Sequence, residues 1–536
     1  MKVRAALIPI AVVAGVTLLV AAAARDPLRQ PRRSSPANVT PTLSSAVATV
    51  DDYLNQSWTD ANIAPAEPAD DLQILRRLSL ALHGTIPSLE EIRQFQTDTQ
   101  PDKLRRWTRR LLDDLRFADY FAQRLARVYV GVDEGPFIIF RRDRLTDWLS
   151  SRLQADHPYD ETVRHLIAET GLWTGAPAVN FVTSARIDED FDENKLAGRT
   201  VRAFLGQRID CAQCHDHPFR DWTQDQFEGL AAHFGQVSLS PFGVEDKPQE
   251  YTIQDRETLE DRTVAPSVPF SPTWLPTAGT SRGQLAAWLT HPENRRFRRA
   301  TVNRVWGLLF GRAYLRPVDD LDDPPPTATP DLLDLLADDF AAQNYSIKHL
   351  IETITATQAF RAASTIDGGD DKSLAAAESK SAIFPLVRLR PEQVIGAILQ
   401  AASVQTIDRN SHLLVRTIRL IREGDFIREY GDLGSDELQE RGGTIPQRLV
   451  LMNGDLVREL MESNLFNSVG GTATMAPTDE QCIETAFLIC LTRKPTPPES
   501  AHFVAQLQDS TDESREQVVE DLFWSLLNTT EFSWNH

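Results

Sequence analysis

The sequence predicts a mainly α fold, a multi-helical body of two modules with a short β-containing irregular linker between them. The first observation behind this prediction is the recurrence of apolar residues at helical spacing, as at Leu104, Trp107, Leu111 and Leu115. The second is the helix-capping signals that precede several such stretches. The third is the segment 237–280, rich in Pro, Asp and Glu, which breaks the helical pattern and contains short β-like pieces.

Composition limits what the chain can do. With 536 residues, of which 41% are hydrophobic, it can bury a sizeable core. Its formal net charge of −20 argues against a sequence-independent interaction with nucleic acid, which requires a basic face. Its 4 cysteines are too few for a disulfide framework. Cys482 and Cys490 lie in an apolar run, where we expect two buried helical thiols.

Residues 1–24 are typical of an export segment, because Lys2 and Arg4 precede an unbroken small and apolar run from Ala5 to Ala24. About 20 apolar residues fit either a cleaved signal peptide or an uncleaved membrane anchor, and the sequence leaves both open. We expect the remainder in the periplasm or cell envelope, secreted or anchored to the membrane by this segment. Residues 25–50, rich in Pro, Ser, Thr and Arg, are predicted to form a flexible tether.

The first module is predicted to be helical and to cover residues 51–236. Ser88 with Glu91 is a capping-box signal at the start of a helix. Further helical stretches are predicted over Asp143–Leu153, over Tyr159–Glu169, over Lys195–Leu205 with a stop at Gly206, and after the cap formed by Thr223 and Gln226.

The second module is predicted to be helical as well and to cover residues 281–536. Thr329 is expected to cap a helix that starts at Pro330, and Ser346 to precede the next one. The acidic run Asp319–Asp323 lacks the ligand spacing of a calcium loop, so we interpret it as a solvated turn. The chain ends in a further helical region that includes Val518 and Leu527.

The run Cys211-Ala212-Gln213-Cys214-His215 is the most distinctive chemical feature of the chain. The C-x-x-C-H spacing is typical of c-type haem attachment, because both thiols can reach the vinyl groups of one porphyrin while the adjacent imidazole faces the iron. This predicts covalent haem c on Cys211 and Cys214, with His215 as the proximal iron ligand.

Two alternatives remain open for the same residues. Cys211, Cys214, His215 and His217 are all suitable zinc ligands, although four ligands within seven residues are unusually crowded for a zinc site. A redox-active dithiol is the other alternative, but it would normally lie at a helix start in a βαβ pattern that the sequence lacks.

A second axial ligand for the haem iron is not selected by the sequence. His217 lies too near His215 to reach the opposite face of a haem, although it stays a candidate metal ligand together with His536. The other candidates are His83, His233, Met452, Met461 and Met475.

Two further motifs are less informative. Gly279-Thr280-Ser281-Arg282-Gly283 matches the G-x-S-x-G pattern of serine hydrolases, but no buried strand precedes it, so we interpret it as accidental. Asn303, Arg304 and Trp306 either form a second functional surface or brace packed helices.

The chain resembles the large secreted planctomycete proteins that join domains of unknown function 1549 and 1553, the cytochrome-associated pair. The resemblance covers nearly all of residues 70 to 536. In the first module it rests on Gly84-Thr85-Ile86-Pro87, Pro158-Tyr159-Asp160 and, above all, the run from Cys211 to Phe219. In the second it rests on Val302-Asn303-Arg304-Val305-Trp306, Phe310-Gly311-Arg312, Pro317-Val318-Asp319-Asp320, Met452-Asn453-Gly454 and the closing Glu531 to His536.

The resemblance implies export, a helical two-module body and a haem-type motif, but no particular reaction. Many relatives carry a cytochrome-c-like domain ahead of these modules, whereas here a short tether follows Ala24. Electrons are therefore expected to come from another protein or from the motif at Cys211 itself. Because relatives are often encoded beside secreted, sulfatase-like proteins, a protein of that kind or a redox protein is the implied partner.

These observations favour an exported envelope protein that binds c-type haem and has an electron-transfer or redox role. The alternative is a non-enzymatic envelope scaffold or binding protein whose Cys/His cluster is structural or binds zinc. No pair of carboxylates or nucleophile and base can be assigned from the sequence, so no hydrolytic activity is predicted.

Overall fold

A computed structural model describes residues 41–536 except 132–139, 188–189, 255–258, 367, 409–425, 432–437, 439–442 and 465–466. The predicted mainly α fold is confirmed, because helices hold 60% of the described residues and the strands form only small two-stranded sheets. Residues Leu43–His536 form one compact unit. The predicted export segment 1–24 and residues 25–40 of the predicted tether lie outside the described residues.

The helices before the predicted linker are α1 Pro41–Asp60, α2 Asp71–His83, α3 Leu89–Thr97, α4 Lys103–Asp113, α5 Leu115–Val130, α6 Arg142–Gln154, α7 Tyr159–Ala168, α8 Asn180–Thr183, α9 Glu193–Leu205 and α10 Gln224–Ala232. Those after it are α11 Ser281–Leu289, α12 Arg295–Phe310, α13 Leu332–Ala342, α14 Ile347–Ala356, α15 Gln358–Arg361, α16 Asp371–Ser379, α17 Pro391–Ala401, α18 Ile445–Asn453, α19 Asp455–Met461, α20 Ser468–Met475, α21 Asp479–Leu491, α22 Pro497–Gln508 and α23 Asp512–Leu527.

The strands pair antiparallel in twos. They are β1 Arg186–Ile187 with β2 Asp190–Phe191, β3 Val237–Ser240 with β4 Gly243–Asp246, β5 Tyr251–Gln254 with β6 Asp261–Val264, and β7 Val387–Arg388 with β8 Trp534–Asn535. The predicted linker therefore holds two short β pairs, β3–β4 and β5–β6, as its β-like sequence indicated. The pairing of β7 with β8 joins residues far apart in sequence.

Most of the predicted helix ends are confirmed. Ser88 and Glu91 form a complete capping box, as do Thr223 and Gln226. Gly206 ends α9 with a φ of 63°, the left-handed conformation that glycine adopts without strain. Ser346 caps α14 through the amide of His349.

The predicted cap at Thr329 is wrong. The N-cap of α13 is Asp331, whose carboxylate accepts from the amide of Asp334 and also binds Arg299 of the preceding helix. An aspartate that meets a buried guanidinium is a stronger cap here than a threonine without one. Thr329 instead closes a local turn onto Pro326.

The boundary predicted between tether and folded module is also corrected. Residues 41–50 of the predicted flexible tether are the first half of α1. Leu43, Val50, Leu54 and Trp58 are buried along one face of this helix, because their spacing keeps them on the same side. Among the residues that the structure describes, no helix combines the length and apolar character needed to cross a membrane.

The apolar core does not divide where the sequence pattern does. One cluster of buried side chains extends from Val50 to Phe384 and so includes both predicted modules. Helix α11 packs on α7 and α12 packs on α9, and Tyr159 stacks on Phe297 with ring centroids 5.9 Å apart. A second cluster takes most of its side chains from residues 389–532. The division between cores therefore lies near residue 385 rather than in the predicted linker.

Helix α2 connects the cores. Ile74 and Leu78 belong to the first cluster, Leu80 to the second, and Leu75 to a small third cluster with Phe95. The fully buried Arg76 and Arg77 on this helix donate to backbone carbonyls of distant segments, namely Cys490, Phe532, Phe360, Ala362 and His536. Since a buried guanidinium must be hydrogen-bonded, these contacts fix how the segments pack.

Two buried histidines make the fold sensitive to acid. His83 lies 3.0 Å from the Leu111 carbonyl, and His233 lies 3.0 Å from the carbonyl and hydroxyl of Ser281. Burial is the main cause that lowers the pKa of each to about 4, and for His83 the charge of Arg116 contributes to that lowering. Both side chains are therefore neutral in the folded protein at pH 6, whereas the unfolded chain binds a proton near pH 6.5.

We expect the free energy of unfolding to fall as the pH falls from about 6.5 to about 4, because the unfolded chain binds more protons there. Each histidine contributes up to about 3 kcal/mol to that loss. A His83→Gln, His233→Gln variant should show a flatter decline of the urea midpoint over this range. The control His502→Gln changes an exposed residue and should keep the wild-type slope. An unchanged slope in the double variant would refute the assignment.

Candidate functional site

The Cys-x-x-Cys-His motif lies in the connection between α9 and α10. A short 3-10 turn, Asp210–Gln213, carries Cys211, and the amide of Cys214 donates to the Cys211 carbonyl over 3.2 Å. The turn is anchored by Ile209 and Ala212, which are completely buried. Cys211 and Cys214 are both exposed and both free. The local sequence thus buries the apolar positions and leaves the two thiols accessible on one turn.

His215 is exposed and its ring is oriented by the backbone. Its Nδ1 lies 2.7 Å from the carbonyl oxygen of Asp216, so Nδ1 carries the proton and donates. This tautomer leaves the lone pair of Nε2 free. A backbone carbonyl that holds one imidazole nitrogen in this way is a common arrangement behind a metal-binding histidine.

His217 has a different role in the same loop. Its amide donates to the Trp222 carbonyl over 2.7 Å, and its Nδ1 accepts from the amide of Phe219 over 3.2 Å. These bonds close the loop onto the start of α10, where the Asp216 carboxylate accepts from the amide of Gln224. Trp222 is buried, but Phe219 at the loop tip is 88% exposed.

The acidic run of the second module contacts this loop. The interpretation of Asp319–Asp323 as a purely solvated turn is therefore wrong. Arg220 binds Asp322 over 2.5 Å and approaches Asp320, while the Leu321 amide donates to the Gly206 carbonyl over 2.7 Å. Two arginines of α12 also bind the acidic run. Arg304 binds Asp319 and Arg296 binds Asp323, both over 2.6 Å.

Gly206 allows the acidic run to pack closely against the end of α9. A Cβ atom at this position would lie 3.0 Å from Leu321 Cδ1 and 3.2 Å from Ala300 Cβ. Its positive φ independently favours glycine. Both the turn that leads into the cysteine motif and its contact with the acidic run therefore depend on this residue.

Asn303, Arg304 and Trp306 brace the helices rather than form a second surface. Arg304 is buried and also approaches the Arg202 carbonyl at the end of α9. Asn303 exchanges two hydrogen bonds with the backbone of Leu315. Trp306 is buried and stacks on the ring of Phe310 with centroids 4.3 Å apart.

The other candidate ligands are not brought to the motif by any described contact. His83 and His233 are buried in the core, as is Met461, whereas Met452 and Met475 are exposed on α18 and α20. The described contacts of His536 are with α2 and the 3-10 turn at Glu531–Ser533, through Arg77 and Glu531.

The G-x-S-x-G match is a helix start and not a nucleophile elbow. Thr280 caps α11 through the amide of Gly283, and Ser281 is the first residue of the helix. Ser281 contacts His233, but both are buried, so no substrate has access to the pair. Within the part of the chain that the structure describes, no three His, Cys, Asp or Glu side chains are arranged to hold a metal ion.

The four thiols should fall into two classes in protein made without haem attachment. Cys482 and Cys490 are buried on α21, as predicted, and burial raises the pKa of Cys482 to about 11 and that of Cys490 further. We expect Cys211 and Cys214 to react with 5,5′-dithiobis(2-nitrobenzoate) in the native protein, and the other two only after unfolding. Loss of the fast phase in a Cys211→Ala, Cys214→Ala variant is the control. Four fast thiols, or none, would contradict the structure.

Comparison with known families matches two parts of the chain. Residues 49–238 match the family described as protein of unknown function DUF1549, and residues 281–413 match the family described as protein of unknown function DUF1553. No curated protein and no solved structure matches. The cysteine motif lies in the first match and the acidic run that contacts it lies in the second. The chain therefore combines a DUF1549 domain, which carries the Cys211–His215 motif, with a DUF1553 domain.

Proposed function

We propose that the chain is an exported envelope protein that carries haem c on Cys211 and Cys214 and has an electron-transfer role. One observation carries the proposal: two free, exposed thiols lie on a single turn beside a histidine whose Nδ1 is already bound to a carbonyl. Thioether formation requires accessible thiols, and iron ligation requires a free Nε2. The donor set therefore fits the cofactor.

Haem, when bound, supplies one-electron chemistry. The chain itself orients the His215 ring and the loop, and it places charged side chains beside the motif. The Asp216 carbonyl holds the His215 ring, and Arg220 with the acidic run keeps the loop in place. The exposed carboxylates of Asp216 and Asp221 beside the motif favour the more positively charged, oxidised state of a redox centre.

Export and partner choice belong to the same proposal. Residues 1–24 supply the export segment, as a signal peptide or an anchor. In this proposal a second redox protein gives the haem its electron or takes it up. A secreted, sulfatase-like protein is the alternative partner.

The second candidate function is an envelope scaffold whose Cys/His cluster is structural or binds zinc. Its support is the position of the loop at the junction of the two matched domains, where Arg220 and Gly206 contact the acidic run. In this case the four side chains Cys211, Cys214, His215 and His217 either brace the loop without a metal or must rearrange around a zinc ion, because no three such side chains of the described residues are placed as ligands of one metal.

The first test is a pyridine haemochrome spectrum on denatured protein, after export in a host with c-type maturation machinery. We expect a covalent c-type band that is lost in a Cys211→Ala, Cys214→Ala variant, because both thioether bonds are then absent. A Cys482→Ala variant, which changes a buried thiol, should keep the band. Wild-type protein without covalent haem would leave the scaffold as the better proposal.

A His217→Ala variant separates haem from zinc. With haem c, covalent attachment and the His215 ligand are both retained, so the absorption spectrum stays close to wild type. With zinc, one of four ligands is lost and the zinc content, measured by inductively coupled plasma mass spectrometry, should fall well below one per chain. A His215→Ala variant should change the absorption spectrum if the centre is haem, or lower the zinc content if the centre is zinc. If whichever readout the wild-type protein gives is unchanged by His215→Ala, His215 is not an iron or zinc ligand.

A further inference from the structure

A cavity of about 460 Å³ lies on the second core, away from the cysteine motif in the chain. Its walls come from α3, α20, α21 and the turn at Ser403–Val404. The volume falls within the range of small-molecule sites in proteins. Neither the proposed haem site nor the scaffold function uses it.

Part of the cavity lining is apolar. It includes Leu89, Leu488 and Ile489. At its mouth lie Val404, which is 50% exposed, and Met475, which is 77% exposed. An apolar group of a ligand that covers these exposed side chains removes apolar surface from water, which is favourable.

The lining also contains a positive charge. Arg93 is exposed, and its guanidinium has no hydrogen-bond or ionic partner within the part of the chain that the structure describes. Glu484, the carboxylate in the same lining, binds Lys494 over 3.1 Å, so its charge is already balanced. An unpaired guanidinium beside a cavity can bind a carboxylate through two parallel hydrogen bonds.

Two threonine hydroxyl groups also belong to the lining. Thr472 on α20 and Thr485 on α21 line the cavity, and neither side chain has a partner among the described residues. They can donate to an oxyanion that binds Arg93. Gly471 leaves room at the mouth, because the nearest atom to a Cβ built there is Val404 Cγ2 at 3.9 Å.

We propose that this cavity binds a small amphiphilic anion, with its carboxylate-type head on Arg93 and its apolar body against Leu89, Leu488 and Met475. The ligand is a free small molecule in the compartment where the protein is located. Apolar contact supplies most of the affinity, and the guanidinium selects the charged head. The site is independent of haem.

The proposal is tested by titrating the full chain with octanoate in a calorimeter. Octanoate should bind saturably and at least about tenfold more tightly than acetate, which lacks the apolar body. Arg93→Gln should weaken octanoate binding by about tenfold, because a charged hydrogen bond is lost. Gly471→Leu should weaken it by a similar factor by filling the mouth, where the nearest atom to a Cβ lies 3.9 Å away.

The control variant is Arg458→Gln, which removes an exposed arginine of α19 and should leave octanoate affinity unchanged. Thermal unfolding of each variant should stay close to wild type, so that weaker binding is not a folding defect. Octanoate that binds no better than acetate, or that binds equally to wild type, Arg93→Gln and Gly471→Leu, would overturn the proposal.

Discussion

Buried arginines that bind backbone carbonyls of distant segments are the interaction on which the architecture depends. Arg76 and Arg77 join α2 to segments more than 280 residues further along the chain. Arg282, fully buried, binds the carboxylate of Asp246 and the carbonyls of Ile167 and Glu169. A guanidinium removed from water without partners is costly, so each one permits only packing that brings its acceptors together.

Arginine contacts also make the candidate site depend on both matched domains. Arg304 lies on α12, yet it binds Asp319 of the acidic run and approaches the end of α9, from which the cysteine loop starts. Arg220 closes the contact from the loop side. Because the two domains share one apolar core, the loop geometry depends on the DUF1553 domain although the cysteines belong to the DUF1549 domain. This gives a physical reason for their occurrence in one chain.

Exposure distinguishes the two cysteine pairs and directs the functional proposal. Cys482 and Cys490 fill space in the second core, where thiols act as small apolar groups. Cys211 and Cys214 are exposed and lie outside both cores, because the buried positions of their turn are Ile209 and Ala212. A thiol pair that is not needed for the core is available for covalent attachment or metal binding. The cavity near Arg93 lies on the other core and adds a separate binding capacity.

The sequence by itself determined the helical class, most helix ends and the cysteine motif. These signals act within a few residues, as between Ser88 and Glu91 or Thr223 and Gln226. They can therefore be recognised from the sequence alone. Tertiary structure alone decided that α13 is capped by Asp331 and that the acidic run contacts the cysteine loop. It also decided that one core crosses the predicted linker. Each of these depends on partners far apart in sequence, such as Arg220 and Asp322, which lie 102 residues apart. Local periodicity carries no information about which distant residue will meet a buried or charged side chain.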